Sequence, residues 1–243
     1  MKKRDLWTVL AVVAIAAIGA VIWEFRTNPF QPLAPQDLQA AELAVTPVSA
    51  TTDTPVTTNA LPATPEGWAD RTLGKEDAPV LMVEYASLTC PHCAHFHRDT
   101  FDQIKREYVD KGLVRFVFRP FPFDAVAMGG SVLAYCLPEN QFYGFLSAVF
   151  ASQDTWAKTS DPLAELRKMA RLAGLSEAQM QKCEAKDSPL PTGILRQRVQ
   201  AEKDLGISST PSFYINGEIV QGARKFEVYQ NAIEAALKKA KAQ

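Results

Sequence analysis

The first apolar stretch runs from Leu6 to Trp23, eighteen residues without a charge. A helix of that length spans about 27 Å, close to the hydrocarbon thickness of a bilayer. Lys2, Lys3 and Arg4 precede it and favour the cytoplasmic side, while Trp7 and Trp23 stand where indole rings favour the interface. Residues 1–26 are therefore expected to be a membrane anchor. Ala14-Ile15-Ala16 has the small-x-small form of a cleavage site. A cut there falls inside the apolar run, with Val21, Ile22 and Trp23 still to come, so the anchor is expected to stay. Hydrophobic periodicity then disappears over residues 27–66. Seven of the sixteen prolines lie here among threonine and alanine, leaving little apolar surface to offset the entropy of ordering. The segment reads as a disordered tether with a reach of roughly 35 Å as a flexible coil.

Strand and helix patterns begin after Gly67. Pro79 to Ala86 is nearly all apolar, as expected of a strand covered on both faces. His97, Phe101, Ile104 and Tyr108 then recur at helical spacing up to Gly112. A second strand is expected over residues 113–118, closed by Pro120 and Pro122. Strand, helix and strand with this connection predict a βαβ unit with parallel pairing. Residues 123–206 carry helical signals only: Asp161-Pro162 opens a stripe of Leu163, Leu166, Met169 and Leu172 that ends at Gly174, and Ser176 to Gln179 fits a capping box. Ser212 to Ile215, Asn216-Gly217 and Glu218 to Val220 form a hairpin signal. Phe226, Tyr229, Ile233 and Leu237 line a last helix. The sum is an α/β domain over residues 67–243, βαβ then a helical insertion then ββα.

Composition narrows the function. With 47 % hydrophobic and 22 % charged residues, and a net charge of −1, the chain lacks the electrostatic footprint of a nucleic-acid binder. Its four cysteines are too few for a disulfide-built miniprotein. Two of them, Cys90 and Cys93, enclose Pro91 and His92 between a buried strand and the start of a helix. A thiolate at a helix N-terminus meets unpaired N–H groups and the positive end of the helix dipole, which lower its pKa. His92 adds a donor or cation beside it. A stabilised thiolate leaves easily, so a Cys90–Cys93 disulfide in this setting is oxidising. Cys90 is the expected nucleophile and Cys93, one turn inside, the resolving thiol.

Zinc is the competing use, since Cys90, Cys93, His95 and His97 could all be ligands. Structural zinc draws on two separated knuckles, and here all four lie within eight residues, so no metal is expected. His95 and His97 read as ordinary helix residues, one exposed and one packed on the sheet. Thr210-Pro211 precedes the hairpin. A cis Pro211 would turn the chain toward the cysteines and leave the Thr210 backbone free for a substrate peptide; a trans proline in a loop is the plain alternative. Glu84 breaks the apolar run of the first strand. It is either a buried acid that exchanges a proton with a buried thiol, or a strand residue facing water. Cys136, ending an apolar stretch before Pro138, and Cys183, after Met180, are expected to face the interior of the insertion and form a structural disulfide; the alternative is two buried free thiols.

Together, Glu84, Cys90-Pro91-His92-Cys93, Phe118-Arg119-Pro120-Phe121-Pro122 and Thr210-Pro211-x-Phe213-x-Ile215-Asn216-Gly217 resemble the thioredoxin superfamily, and within it the DsbA-type disulfide oxidoreductases of the bacterial envelope. The resemblance covers almost the whole chain after Gly67. It implies a thioredoxin fold with a helical insertion, Cys90 as nucleophile, Cys93 as resolving thiol, Pro211 as the cis proline and Glu84 as the buried acid. It implies no cofactor. The function so read is oxidation of dithiols in exported cysteine-containing proteins, at the inner membrane with the catalytic domain facing the periplasm or cell exterior. Reoxidation would fall to a quinone-linked membrane partner of DsbB type. An isomerase or reductase using the same site, fed by a membrane electron donor, is the alternative; a peptide-binding chaperone is a more distant one.

Overall fold

The computed structural model describes residues 61–242. The anchor expected over residues 1–26 and most of the tether lie outside them, and among the described residues no helix is long and apolar enough to cross a membrane. The chain forms β1 (Arg71–Leu73), β2 (Val80–Ala86), a long helix α1, β3 (Val114–Pro120), six insertion helices, β4 (Ser212–Ile215), β5 (Glu218–Gln221) and a final helix α8 (Phe226–Lys241). The sheet order is β1-β3-β2-β4-β5. Among the described residues, only β2 and β3 pair in parallel.

Every residue of the central strand β2 is buried, which explains its continuous apolar run. Alternation still sorts its side chains. Leu81, Val83 and Tyr85 join Val117, Phe121, Ala201 and Ile207 on one face, whereas Val80, Met82 and Ala86 join the larger core that includes residues of α1 and α8. Helix α1 starts at Pro91–Phe96 and continues through π-helical turns at His97–Phe101 and Lys105–Val109, with Asp102–Ile104 between them. The predicted stripe His97, Phe101, Ile104 and Tyr108 is buried throughout. At the hairpin, Asn216 and Gly217 both take positive φ, 43° and 97°, the demand of a two-residue type I′ turn.

The insertion comprises α2 (Ala125–Cys136), α3 (Glu139–Ala151), α4 (Gln153–Trp156), α5 (Pro162–Leu172), α6 (Glu177–Glu184) and α7 (Pro189–Leu205). Asp161 caps α5 and the Ser176–Gln179 capping box opens α6. One member of the predicted α5 stripe is misplaced. Leu172 is 89 % exposed, and Ala170 is buried in its stead. Steps of three residues drift about 60° backwards around a helix, so the third such step, from Leu163 to Leu172, reaches the opposite face.

Cys136 and Cys183 are bonded, joining the end of α2 to α6 with a Cα–Cα distance of 6.1 Å. Both are half-exposed, so the bond lies at the rim of the insertion and not in its interior. Strand β1 is absent from the sequence reading because three half-buried residues carry no legible period. The fold also takes in the end of the predicted tether. Fully buried Arg119 donates to the Pro62 carbonyl (2.9 Å), to both oxygens of Asp70 (3.0 and 2.8 Å) and to the Tyr85 hydroxyl (3.0 Å). Burying a guanidinium is tolerable only when its donors are so paired, and that need pins Pro62 and Asp70 to the end of the sheet.

Candidate active site

Strand β2 ends at Ala86, and Cys90 stands at the N-cap of α1 with Pro91 at the first helical position. The turn between them is held from several sides. The Cys90 N–H donates to the Ser87 carbonyl (3.1 Å), and the Thr89 hydroxyl donates to Asp124 (2.5 Å), the N-cap of α2. Gln153, buried at the start of α4, donates from one side-chain nitrogen to the carbonyls of Leu88 (2.7 Å) and Cys90 (3.1 Å). The insertion thus grips the loop that presents the first cysteine. Gln153 and Asp124 escape sequence reading because they meet this loop only through the tertiary fold.

The two thiols differ sharply. Cys90 is half-buried, while Cys93 has no exposed surface. The Cys90 pKa is lowered to about 5, chiefly by the Cys93 thiol donating to its sulfur. Burial opposes this, and Thr210 with the backbone N–H groups of Cys93 and His92 assists it. His92 is exposed, and what it brings to the sulfur is its backbone N–H, where the sequence pointed to its imidazole. Cys93 moves the other way: burial, the hydrogen bond to Cys90 and the charge of Glu84 hold it well above the ordinary thiol value.

The Thr210–Pro211 bond is cis, and the Cys90 thiol lies 3.5 Å from the Thr210 carbonyl oxygen. Pairing of β4 beside β2, with Ser212 opposite Tyr85, brings this segment to the cysteine from far along the chain. Beside Thr210, Ser208 and Ser209 are exposed. Across the Thr89–Asp124 contact, Phe123 is 51 % exposed, with the Arg198 guanidinium 5.1 Å from its ring centroid.

Glu84 has no exposed surface, and its Oε2 lies 2.8 Å from Nε2 of buried His97. The four residues weighed as zinc ligands are thus separated in purpose. His97 turns inward to Glu84, and exposed His95 pairs with Asp99 at 2.6 Å. Among the described residues no three metal-binding side chains cluster. The Glu84–His97 contact was missed in the sequence, yet a signal existed: His97 follows Cys93 by four residues, so both share one helical face.

The chain matches the thioredoxin family model over residues 68–235. It is 33 % identical over 174 residues to a Rickettsia bellii protein whose name, protein-disulfide oxidoreductase, is provisional; the match covers 70 % of this chain and 64 % of that one. Disulfide bond formation protein D of Bacillus subtilis is 29 % identical over 180 residues, 68 % of this chain and 76 % of the relative. The crystal structure of Wolbachia pipientis alpha-DsbA1 superposes with a TM-score of 0.67 at 32 % identity, over 75 % of this chain and 96 % of that one.

Proposed function

The chain belongs to the thioredoxin family, and on that premise we propose that it is a protein thiol–disulfide oxidoreductase working as a dithiol oxidase on exported cysteine-containing proteins. The observation that carries this reading is the opposition of the two thiols, one lowered to about 5 at the surface and the other raised in the core. A stabilised Cys90 thiolate favours the open, reduced form and makes Cys90 the better leaving group, which drives electrons from substrate to enzyme. A substrate thiolate attacks Cys90 Sγ of the disulfide; the Cys90–Cys93 bond breaks, and Cys93 leaves as a thiolate that takes a proton. The second substrate thiolate then attacks the substrate sulfur of the mixed disulfide. Cys90 leaves as a thiolate, the substrate departs oxidised, and the enzyme holds two electrons.

The Thr210 backbone beside Cys90, together with half-exposed Phe123 next to the Asp124 that holds Thr89, suits an extended, unfolded segment around the substrate cysteine. The apolar run Leu6–Trp23 after Lys2, Lys3 and Arg4 supports a single-pass anchor in the inner membrane with this site facing the periplasm or cell exterior. A quinone-linked membrane partner of DsbB type would return the enzyme to its disulfide. The test uses the full-length protein in detergent. Cys93→Ala should accumulate mixed disulfides through Cys90, and the wild-type couple should be less negative than about −200 mV. Adducts on Cys93 in a Cys90→Ala variant, with none on Cys90 in the Cys93→Ala variant, would overturn the roles. A potential near that of thioredoxin, about −270 mV, would overturn the direction.

A further inference from the structure

Helix α7 covers one face of the sheet, and its inner positions Ile194, Gln197 and Ala201 are buried. Leu195 and Val199, one turn apart on its outer side, are half-exposed. Apolar side chains scattered singly over a surface need no explanation. These two have company. Arg198, next to Val199, donates to the Pro122 carbonyl and holds its guanidinium 4.9 Å from the ring centroid of Phe121 and 5.1 Å from that of Phe123. Phe123 is half-exposed too, so an apolar strip crosses from α7 to the residue before Asp124, and Asp124 holds Thr89 beside Cys90. Cations flank the strip. Arg196 and Lys203 are exposed on α7, and neither has an ion-pair partner among the described residues. The two acids nearby are engaged: Glu202 is paired with Arg198 at 3.0 Å, and Asp204 accepts from the Gln200 amide. Half-exposed aliphatics beside unpaired Lys and Arg suit a lipid headgroup layer, where apolar side chains reach the acyl boundary and cations meet phosphates.

The start of the described chain is fastened on the same side. The Arg119 guanidinium bridges the Pro62 carbonyl (2.9 Å) and the Tyr85 hydroxyl (3.0 Å). Tyr85 packs in one cluster with Ala201 of α7 and stands five residues before Cys90. Pro62 is therefore held at the catalytic end of the sheet, on the face that α7 covers. Residues 24–60, between the apolar run Leu6–Trp23 and Leu61, would reach roughly 35 Å as a flexible coil. Attachment at this point by so short a tether turns the α7 face toward the bilayer. We propose that this face rests on an anionic membrane surface through Leu195, Val199 and Phe123, with Arg196 and Lys203 on the headgroups, so that Cys90 works at the interface on dithiols held at the membrane. The proposal rests on the reading of Leu6–Trp23 as the anchor given above. Weak contacts suffice, because the anchor makes docking intramolecular and keeps the local concentration of bilayer high.

The test uses full-length protein in nanodiscs of phosphatidylcholine and phosphatidylglycerol in equal parts, doped with a lipid that carries a nitroxide on its headgroup. The methyl resonances of Leu195 and Val199 should broaden several-fold more than those of Val228, an exposed apolar residue of α8 over the opposite face. Discs of phosphatidylcholine alone should narrow that difference, as should Arg196→Gln/Lys203→Gln. Leu195→Ser/Val199→Ser leaves the cysteines untouched. In a single turnover of the oxidised variant, a soluble dithiol peptide should be oxidised at the wild-type rate, whereas the same peptide on a lipid anchor in the disc should react roughly 10-fold more slowly. Equal broadening of Val228 and the α7 methyls in disc-bound wild type overturns the inference alone, and so does a variant that treats the two peptides alike. Wild-type protein recovered outside the discs overturns the anchor reading, and this inference with it.

Discussion

The reduction potential of the Cys90–Cys93 couple should fall by about 30 mV per pH unit between roughly pH 6 and pH 8, half the slope of an ordinary dithiol. The perturbation is pH, and the magnitude follows from how many protons accompany the two electrons. An unperturbed dithiol takes up two protons on reduction, a slope of about 59 mV per pH unit. Here burial, the hydrogen bond to Cys90 and the charge of Glu84 keep Cys93 protonated, whereas Cys90 ionises at about 5. Only one proton is taken up above that pH. The Cys90 pKa in the fold lies below that of a free thiol, so its ionisation stabilises the reduced fold most fully above the free-thiol pKa, and the stabilisation fades as pH falls through about 5. Below about pH 4 the slope should therefore steepen toward 59 mV. Cys90 is half-exposed, and salt will weaken the interactions that depress it. Even a pKa near 6 would leave the slope close to 30 mV above neutral pH. The assay equilibrates the protein with glutathione buffers at each pH, traps thiols by acid quenching and alkylation, and counts them by mass. A slope near 59 mV across the whole interval would mean that both thiols are protonated in the reduced enzyme, and would refute the asymmetry on which the proposed function rests.

Replacing Cys136 and Cys183 together by alanine should lower unfolding stability by up to about 4 kcal/mol, since the bond closes a loop with a sequence separation of 47; in urea unfolding, a loss below about 1 kcal/mol would show that the bond constrains little. Asp70→Asn strips the carboxylate from fully buried Arg119 and should cost about 3–5 kcal/mol, with the pH dependence of Cys90 unchanged; an unaltered unfolding midpoint would show that the Pro62–Asp70 segment is not held by this pair. Gln153→Leu leaves the carbonyls of Leu88 and Cys90 without their buried donor, so a loss of about 1–3 kcal/mol and faster alkylation of Cys90 are expected. An alkylation rate equal to wild type would show that the insertion does not hold the redox loop.

Local signals in the sequence determined much of this protein. The unbroken apolar run of β2, the four-residue stripe of α1, the capped starts of α5 and α6 and the Asn216-Gly217 turn each depend on residues a few positions apart, and periodicity or turn chemistry exposes such short-range requirements. Cys90 could be placed at a helix N-terminus for the same reason, since a strand, a proline and a helical stripe stand in fixed order around it. The Leu172 assignment failed where that logic was stretched, because a spacing of three drifts around the helix. What the tertiary structure decided are the meetings of distant segments. It set Thr210 against Cys90, Gln153 under the redox loop, Asp70 and Pro62 on Arg119, and His97 on Glu84. The contacts of Gln153, Arg119 and Glu84 satisfy polar groups that burial has removed from water. The need is visible in a sequence as an out-of-place Glu84 or Arg119, but the partner that meets it is chosen by the packing of the whole domain.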